Sequence, residues 1–294
     1  MSGLLDNLVD DAGLFPPESL PMGRALERHL ADEQAGDPML THRFLCPASR
    51  LAELRAAPEL ERWTATPSRP RLGNGPGLVL RLGLILDTGV DGLAPARAGI
   101  AADRRLQLEL VEAPAPSAEA VTGALDALAG VDEAVYVEGP RQAGWGWVKA
   151  LAARPGPGVR GAKVRCGGGR AELFPTPEEL AGFLCACAAD SVGFKATAGL
   201  HGAVRHRDGA TGFVHHGFLN LVLGTVRAVS GAAADSVAEV LACEDPDALV
   251  AEYRAVPAAP AQRARALLSA YGSCSTGEPR EEAAALGLVA PPAP

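Results

Sequence analysis

From residue 78 to residue 199 short apolar runs alternate with helical stretches, and two of these units end in the same Val-Glu-x-Pro pattern 26 residues apart. On a chain of 294 residues, 48% of them apolar, these observations predict an α/β fold, a (β/α)8 TIM-barrel-like architecture irregular at its first and last units. A barrel of this kind takes about 250 residues. Residues 1–294 therefore read as a single barrel domain, with a flexible tail over 287–294 where the chain ends in Ala-Pro-Pro-Ala-Pro.

The clearest strands are 78–86, 106–111, 133–137, 162–166 and 193–197, which are short and mostly apolar, as parallel strands covered on both faces should be. Residues 8–15, 41–47 and 267–274 are weaker candidates that bring the number to eight. The repeated Leu110-Val-Glu-Ala-Pro114 and Tyr136-Val-Glu-Gly-Pro140 have the spacing of one strand, one helix and two short loops. Repetition of that unit predicts a parallel sheet with right-handed crossovers.

Helices are predicted over 118–129 and 142–153, and another opens at Thr176-Pro-Glu-Glu179. There Thr176 suits the N-cap, Pro177 the first helical position and Glu179 the reciprocal partner of a capping box. Leu180, Phe183, Leu184, Cys187 and Ala188 follow at helical spacing on one face. A long helix is expected over 213–229, then helical patterns near 235–243 and 246–253. Pro and Gly cluster without periodicity over 62–77, and Pro over 255–262, so both read as loops.

A formal net charge of -8 and the lack of a basic patch argue against nucleic acid as a partner. No apolar run approaches the roughly 18 residues of a membrane helix, and the acidic N-terminus does not resemble a signal peptide. The expectation is a cytoplasmic protein with a small-molecule substrate and no membrane partner, homo-oligomerisation being left open. The six cysteines lack paired metal-ligand spacing and read mostly as small buried hydrophobes.

Only three of the 27 basic residues are lysines, and Lys163 and Lys195 lie within strand-like runs. An arginine-biased chain that places lysine there points to chemistry requiring an amine of tunable pKa. Side chains two apart on a strand share a face, which pairs Lys163 with Arg165 and Lys195 with Thr197. Cations crowded inside a barrel would lower one another's pKa and free a lone pair. The competing reading is that both lysines are structural, ion-paired with Glu112, Glu138 or Asp190.

Other polar groups lie at strand ends: Asp10, Asp11, Arg43, Asp87, Ser273 and Ser275. Gly167 and Gly168, with Gly169, Arg165 and Arg170, form a loop whose N–H groups suit an anion. His201 closely follows the Lys195 strand and is the first choice among the histidines for acid–base work, ahead of His206, His215 and His216. Cys274 as a nucleophile would need a base such as His201 beside it.

Lys195-Ala-Thr-Ala-Gly199 resembles the Lys-Thr-Ser-Thr-Gly Schiff-base segment of class I aldolases of the deoxyribose-phosphate aldolase type, barrels with paired lysines on adjacent strands. The resemblance implies a cofactor-free lyase in which Lys195 forms the imine, Thr197 is its polar neighbour and Lys163 is the second cation. In that family the second lysine segment follows the Schiff-base segment, whereas here Lys163 precedes Lys195. The chain as a whole also resembles an actinobacterial family of (β/α) barrels, a likeness that implies the fold and no reaction.

The expected function is thus a lyase or aldolase acting on a small anionic carbonyl compound through a lysine Schiff base. Glu138, Glu112 and His201 would move protons, and Arg165, Thr197, Gly167, Gly168 and Arg43 would bind substrate. A second order of residues, Asp87, Glu112 and Glu138 ending three successive strands with Lys163 on the next, is similar to enolase-superfamily barrels. That likeness implies Mg²⁺ on the acids and a lysine base, a Mg-dependent enolising lyase or isomerase. The alternative from another class is a non-catalytic ligand-binding barrel.

Overall fold

Aliphatic runs that are buried almost throughout form the strands: β1 (Val9–Asp11), β2 (Leu40–Pro47), β3 (Leu80–Ile85), β4 (Leu106–Pro114), β5 (Ala134–Glu138), β6 (Arg160–Arg165) and β7 (Phe194–Thr197). A small hairpin follows, β8 (His206–Arg207) with β9 (Val214–His215), and the chain returns as β10 (Leu268–Ser273). The structure is a computed structural model describing residues 3–65 and 79–290. Eight parallel strands close in the order β1-β10-β7-β6-β5-β4-β3-β2. All eight expected strands are present, and the fold is a (β/α)8 barrel.

The helices are α1 (Met22–Ala35), α2 (Leu51–Ala56), α3 (Glu59–Ala65), α4 (Leu93–Ala101), α5 (Ala118–Ala127), α6 (Val148–Ala152), α7 (Pro177–Ala189), α8 (Phe218–Val229), α9 (Ala234–Ala242), α10 (Pro246–Ala255), α11 (Ala258–Leu267) and α12 (Gly277–Ala285). Irregularity falls where it was expected. β1 has three residues, and four helices with a hairpin separate β7 from β10.

The capping box of α7 is complete: the Glu179 N–H donates to Thr176 Oγ1 at 3.2 Å and the Thr176 N–H donates to Glu179 Oε2 at 2.8 Å. Leu180, Phe183, Leu184 and Cys187 of this helix are buried. In α8 every residue from Phe218 to Val226 is buried, the polar Asn220 and Thr225 included, because α7, α9 and α11 enclose it.

Three local expectations give way to turn chemistry. The helix over 213–229 begins only at Phe218, since residues 206–215 form the hairpin, turned through Asp208, Thr211 and the positive φ of Gly212. The helix over 142–153 shrinks to α6 because Gly144 takes a φ of 68° and breaks the preceding turn. The loop over 255–262 is mostly helix: Pro257 is the N-cap of α11, and Pro260 falls in its first turn, where no N–H is needed. The N-terminal part of the 62–77 segment is the end of α3; residues 66–78 and 291–294 lie outside the described residues.

Strand register sets up the interior. Glu138 lies beside Lys163, and Lys163 beside Lys195, across β5, β6 and β7. Gly161, also on β6, faces inward where a Cβ would come within 2.5 Å of the Tyr136 ring. Absence of a side chain there lets the tyrosine lie across the barrel. Among the described residues no helix is long and apolar enough to cross a membrane.

Candidate active site

At the C-terminal ends of the strands a cavity of about 420 Å³ opens, with Glu112, Glu138, Lys163, Arg165, Thr197 and His201 among its lining residues. This is the end at which barrels of this architecture carry their sites. Strand alternation brings Glu112, Glu138, Lys163, Arg165 and Thr197 there. His201 comes from the segment after β7.

Lys163 is 5% exposed and sits between two carboxylates, its Nζ 2.7 Å from Glu112 Oε2 and 2.9 Å from Glu138 Oε2. Glu138 is shared, because its Oε1 accepts from Arg165 Nε at 2.8 Å. Lys195 is fully enclosed, paired with Asp10 Oδ2 and, at 3.0 Å, with Glu112 Oε1. Glu112 therefore bridges the two lysines, and the Tyr136 ring lies 5.8 Å from Lys195 Nζ. Below them Arg43 binds Asp10 Oδ1 at 2.8 Å and Glu109 Oε2 at 3.0 Å.

The electrostatics run opposite to the crowded-cation expectation. Burial works against a charged Lys163, but Glu112 and Glu138 outweigh it and hold the amine above its ordinary value. Burial would likewise raise Glu112, yet Lys163 and Lys195 bring its carboxyl down to about 2. Glu138 is lowered against its burial by Lys163 and Arg165, and Asp10 against its own by Arg43 and Lys195. Interleaved acids, rather than a second amine, dominate the surroundings of Lys163.

Of the residues singled out in the sequence, the cavity brings together Lys163, Glu112, Glu138, Arg165, Thr197, Gly168 and His201. Lys195 is not on its wall. Arg43 does not line this cavity; its guanidinium pairs with Asp10 and Glu109 beneath the lysines. Gly167 is not on the cavity wall either; it is a close-packing position, where a Cβ would come within 2.7 Å of Gly199 Cα. Asp190 is the C-cap of α7 and takes no part.

The three acids of the Mg²⁺ scheme all line this cavity, but they are committed to other partners. Asp87 accepts from the Ser49 N–H at 3.0 Å and from the Ser49 hydroxyl, while Glu112 is held between ammonium groups. Among the described residues no group of three His, Cys, Asp or Glu side chains is arranged to hold a metal ion. The residues present do not fit that ion.

Sequence reasoning placed Asp10 at a strand end without giving it a role. A three-residue strand with adjacent aspartates must send one inward, and β1 sends Asp10 to Lys195 and Asp11 outward to His29 and Arg28 on α1. Cys274 gains a neighbour that sequence could not supply, its Sγ lying 3.7 Å from His201 Nδ1. The sulfur also lies 3.9 Å from His201 Nε2, and Nδ1 lies 3.4 Å from Glu278 Oε2, so the ring touches both thiol and carboxylate. Burial pushes the Cys274 thiol pKa up.

Fold and cavity together define a class: a (β/α)8 barrel with an ion-paired lysine on the wall of its C-terminal mouth. No protein-family model matches the chain, and no curated protein matches it.

Proposed function

We propose that the protein is a lyase of the aldolase type, acting on a small carbonyl compound through an imine formed at Lys163. One observation carries the reading: Lys163 is the lysine on the cavity wall, with two carboxylates at 2.7 and 2.9 Å to accept and return its proton. The imine role moves from Lys195, whose amine is sealed beneath Glu112. It also brings the order of the segments into line with the aldolase resemblance, in which the second lysine follows the imine-forming one.

In this scheme the Lys163 ammonium passes a proton to Glu138, and the freed lone pair attacks the carbonyl carbon. One proton of the attacking nitrogen passes to the carbonyl oxygen as the neutral carbinolamine forms. Glu138 then returns its proton to the leaving hydroxyl, water departs, and a protonated imine remains. That cation withdraws electrons from the adjacent carbon, which permits C–C cleavage or formation next to it. His201, on the cavity wall, handles the proton of the departing or incoming hydroxyl. Lys195 holds Glu112 in place. Arg165, with 42% of its side chain exposed, is available to an anionic group of the substrate. Six unpaired cysteines fit a cytoplasmic, reducing setting.

Borohydride reduction in the presence of small aldehydes and ketones tests the scheme. Peptide mapping is expected to find the adduct on Lys163 and none after Lys163→Met. An adduct on Lys195, or none with any carbonyl compound, overturns it. The complete ion pairing of both lysines favours one other reading, a non-catalytic ligand-binding barrel, for which binding without trapping is the signature.

A further inference from the structure

Beyond the lysine cavity lies a larger chamber of about 770 Å³, reached through a throat that shares His201, Cys274, Gly168, Gly169 and Ala198 with it. The β8–β9 hairpin forms one side. Its cross-strand pair His206 and His215 place their rings 5.5 Å apart, and Phe213 stands next to β9. Phe174, from the segment between β6 and α7, meets the His215 ring at 4.7 Å and the Phe213 ring at 5.5 Å. The result is a continuous aromatic wall facing a cavity large enough for a fused ring system. His215 Nε2 is buried there without a hydrogen-bond partner.

The charges are one-sided. Glu18, Asp208, Glu278 and Glu282 line the chamber, and none of its described lining residues is Lys or Arg. Glu18 is neutralised by Arg28. Asp208 accepts from Thr211, and Glu282 accepts from the Ala203 N–H. Aromatic faces attract planar cations, and carboxylates accept their N–H groups.

We propose that this outer chamber binds a planar, positively charged nitrogen group, such as an amidinium or a protonated heteroaromatic ring. Resting on the reading of Lys163 above, the substrate class is then a carbonyl compound whose far end is a planar cation. Its carbonyl end reaches the lysine cavity through the throat, while the hairpin and Phe174 hold the ring. The outer chamber selects against phosphate and carboxylate tails, which leaves the anion expected of the substrate only at Arg165.

Isothermal titration at pH 8 and low salt, where free histidines are neutral, tests the proposal with three probes that carry no reactive carbonyl. Benzamidine is a planar cation, benzoate its anionic counterpart and cyclohexylamine a non-planar cation. Benzamidine is expected to bind saturably and the other two at least tenfold more weakly. Phe174→Ala should weaken benzamidine at least tenfold, and Phe213→Ala provides the same test from the hairpin side should the first variant fold poorly. Asp208→Asn, which keeps an acceptor for Thr211, should narrow the preference for benzamidine over benzoate. No benzamidine binding, equal or tighter benzoate, or unchanged affinity in the folded phenylalanine variants overturns the proposal. Benzamidine binding to the unsubstituted protein, with no carbonyl compound trapped at Lys163, would sink the imine scheme and leave the chamber standing.

Discussion

Lys163 gains its character from its neighbours more than from its own strand. With Glu112 and Glu138 both anionic its proton is held tightly, so the neutral amine needed for attack is scarce at neutral pH and grows tenfold per unit as pH rises. Borohydride trapping should accordingly accelerate from pH 7 towards pH 10. Glu138→Gln removes one of the two anions and should shift that rise to lower pH by about 1 unit or more, the effect of losing one close opposite charge. A rate profile that stays in place would show that Glu138 does not control the amine. Lys195 has a different test. Replacing it with Met leaves Asp10 with Arg43 alone and Glu112 with Lys163 alone, and removing one partner from a buried ion pair costs about 3–5 kcal/mol. Urea denaturation should show a lowered midpoint, whereas Lys163→Met, at the cavity wall beside water, should lose less.

At the scale of elements, the capping box joins fold to site, because α7 starts where the chain leaves the glycine loop and Phe174. Thr176→Ala should lower stability by about 1 kcal/mol, and Thr176→Ser should restore most of it; denaturant midpoints at constant m-value check both. This cap was legible in sequence because all of its chemistry lies within four residues. The strands were legible for a similar reason, since burial on both faces makes 80–85 or 134–138 apolar regardless of what packs there. The hairpin was not: its turn depends on Gly212 adopting a positive φ, and Val214, four residues before Phe218, matches the helical spacing of α8. Within the site, alternation identified the inward set on β6 and β7. It could not rank depth, and depth separates Lys163 on the wall from Lys195 beneath it. Nor could it bring His201 to Cys274, which are 73 residues apart in the chain.

The whole molecule should be more sensitive to acid than to base: His216 leads an upper window to which His42 and His215, also lowered by burial, add, and Glu112 leads the lower one. Burial is the main cause that pushes His216 down to about 4, with its Nε2–H donating to the Pro175 carbonyl at 2.8 Å and its Nδ1 facing Arg205 at 3.3 Å. A neutral ring is built into the join between hairpin and α7. Its folded pKa is below the ordinary 6.5, so the unfolded chain binds the extra proton first, and stability falls as pH drops from about 6.5 to 4. Glu112 follows. Its pKa is depressed from 4.5 to about 2, so the stability it contributes is present above 4.5 and is lost as pH falls towards 2. His216 and Glu112 each account for roughly 3 kcal/mol across their windows. On the alkaline side Lys163 is held above its ordinary 10.5, so its contribution persists until the pH exceeds that value. Unfolding free energy measured by urea titration from pH 9 to pH 3 should be level down to about pH 7 and then decline in two stages. His216→Gln can keep a donor to Pro175 but cannot titrate, so it should shrink the stage between 6.5 and 4 and leave the lower stage intact. A variant that retains both stages undiminished would mean that the upper one belongs to other groups and that His216 is not the acid-sensitive join.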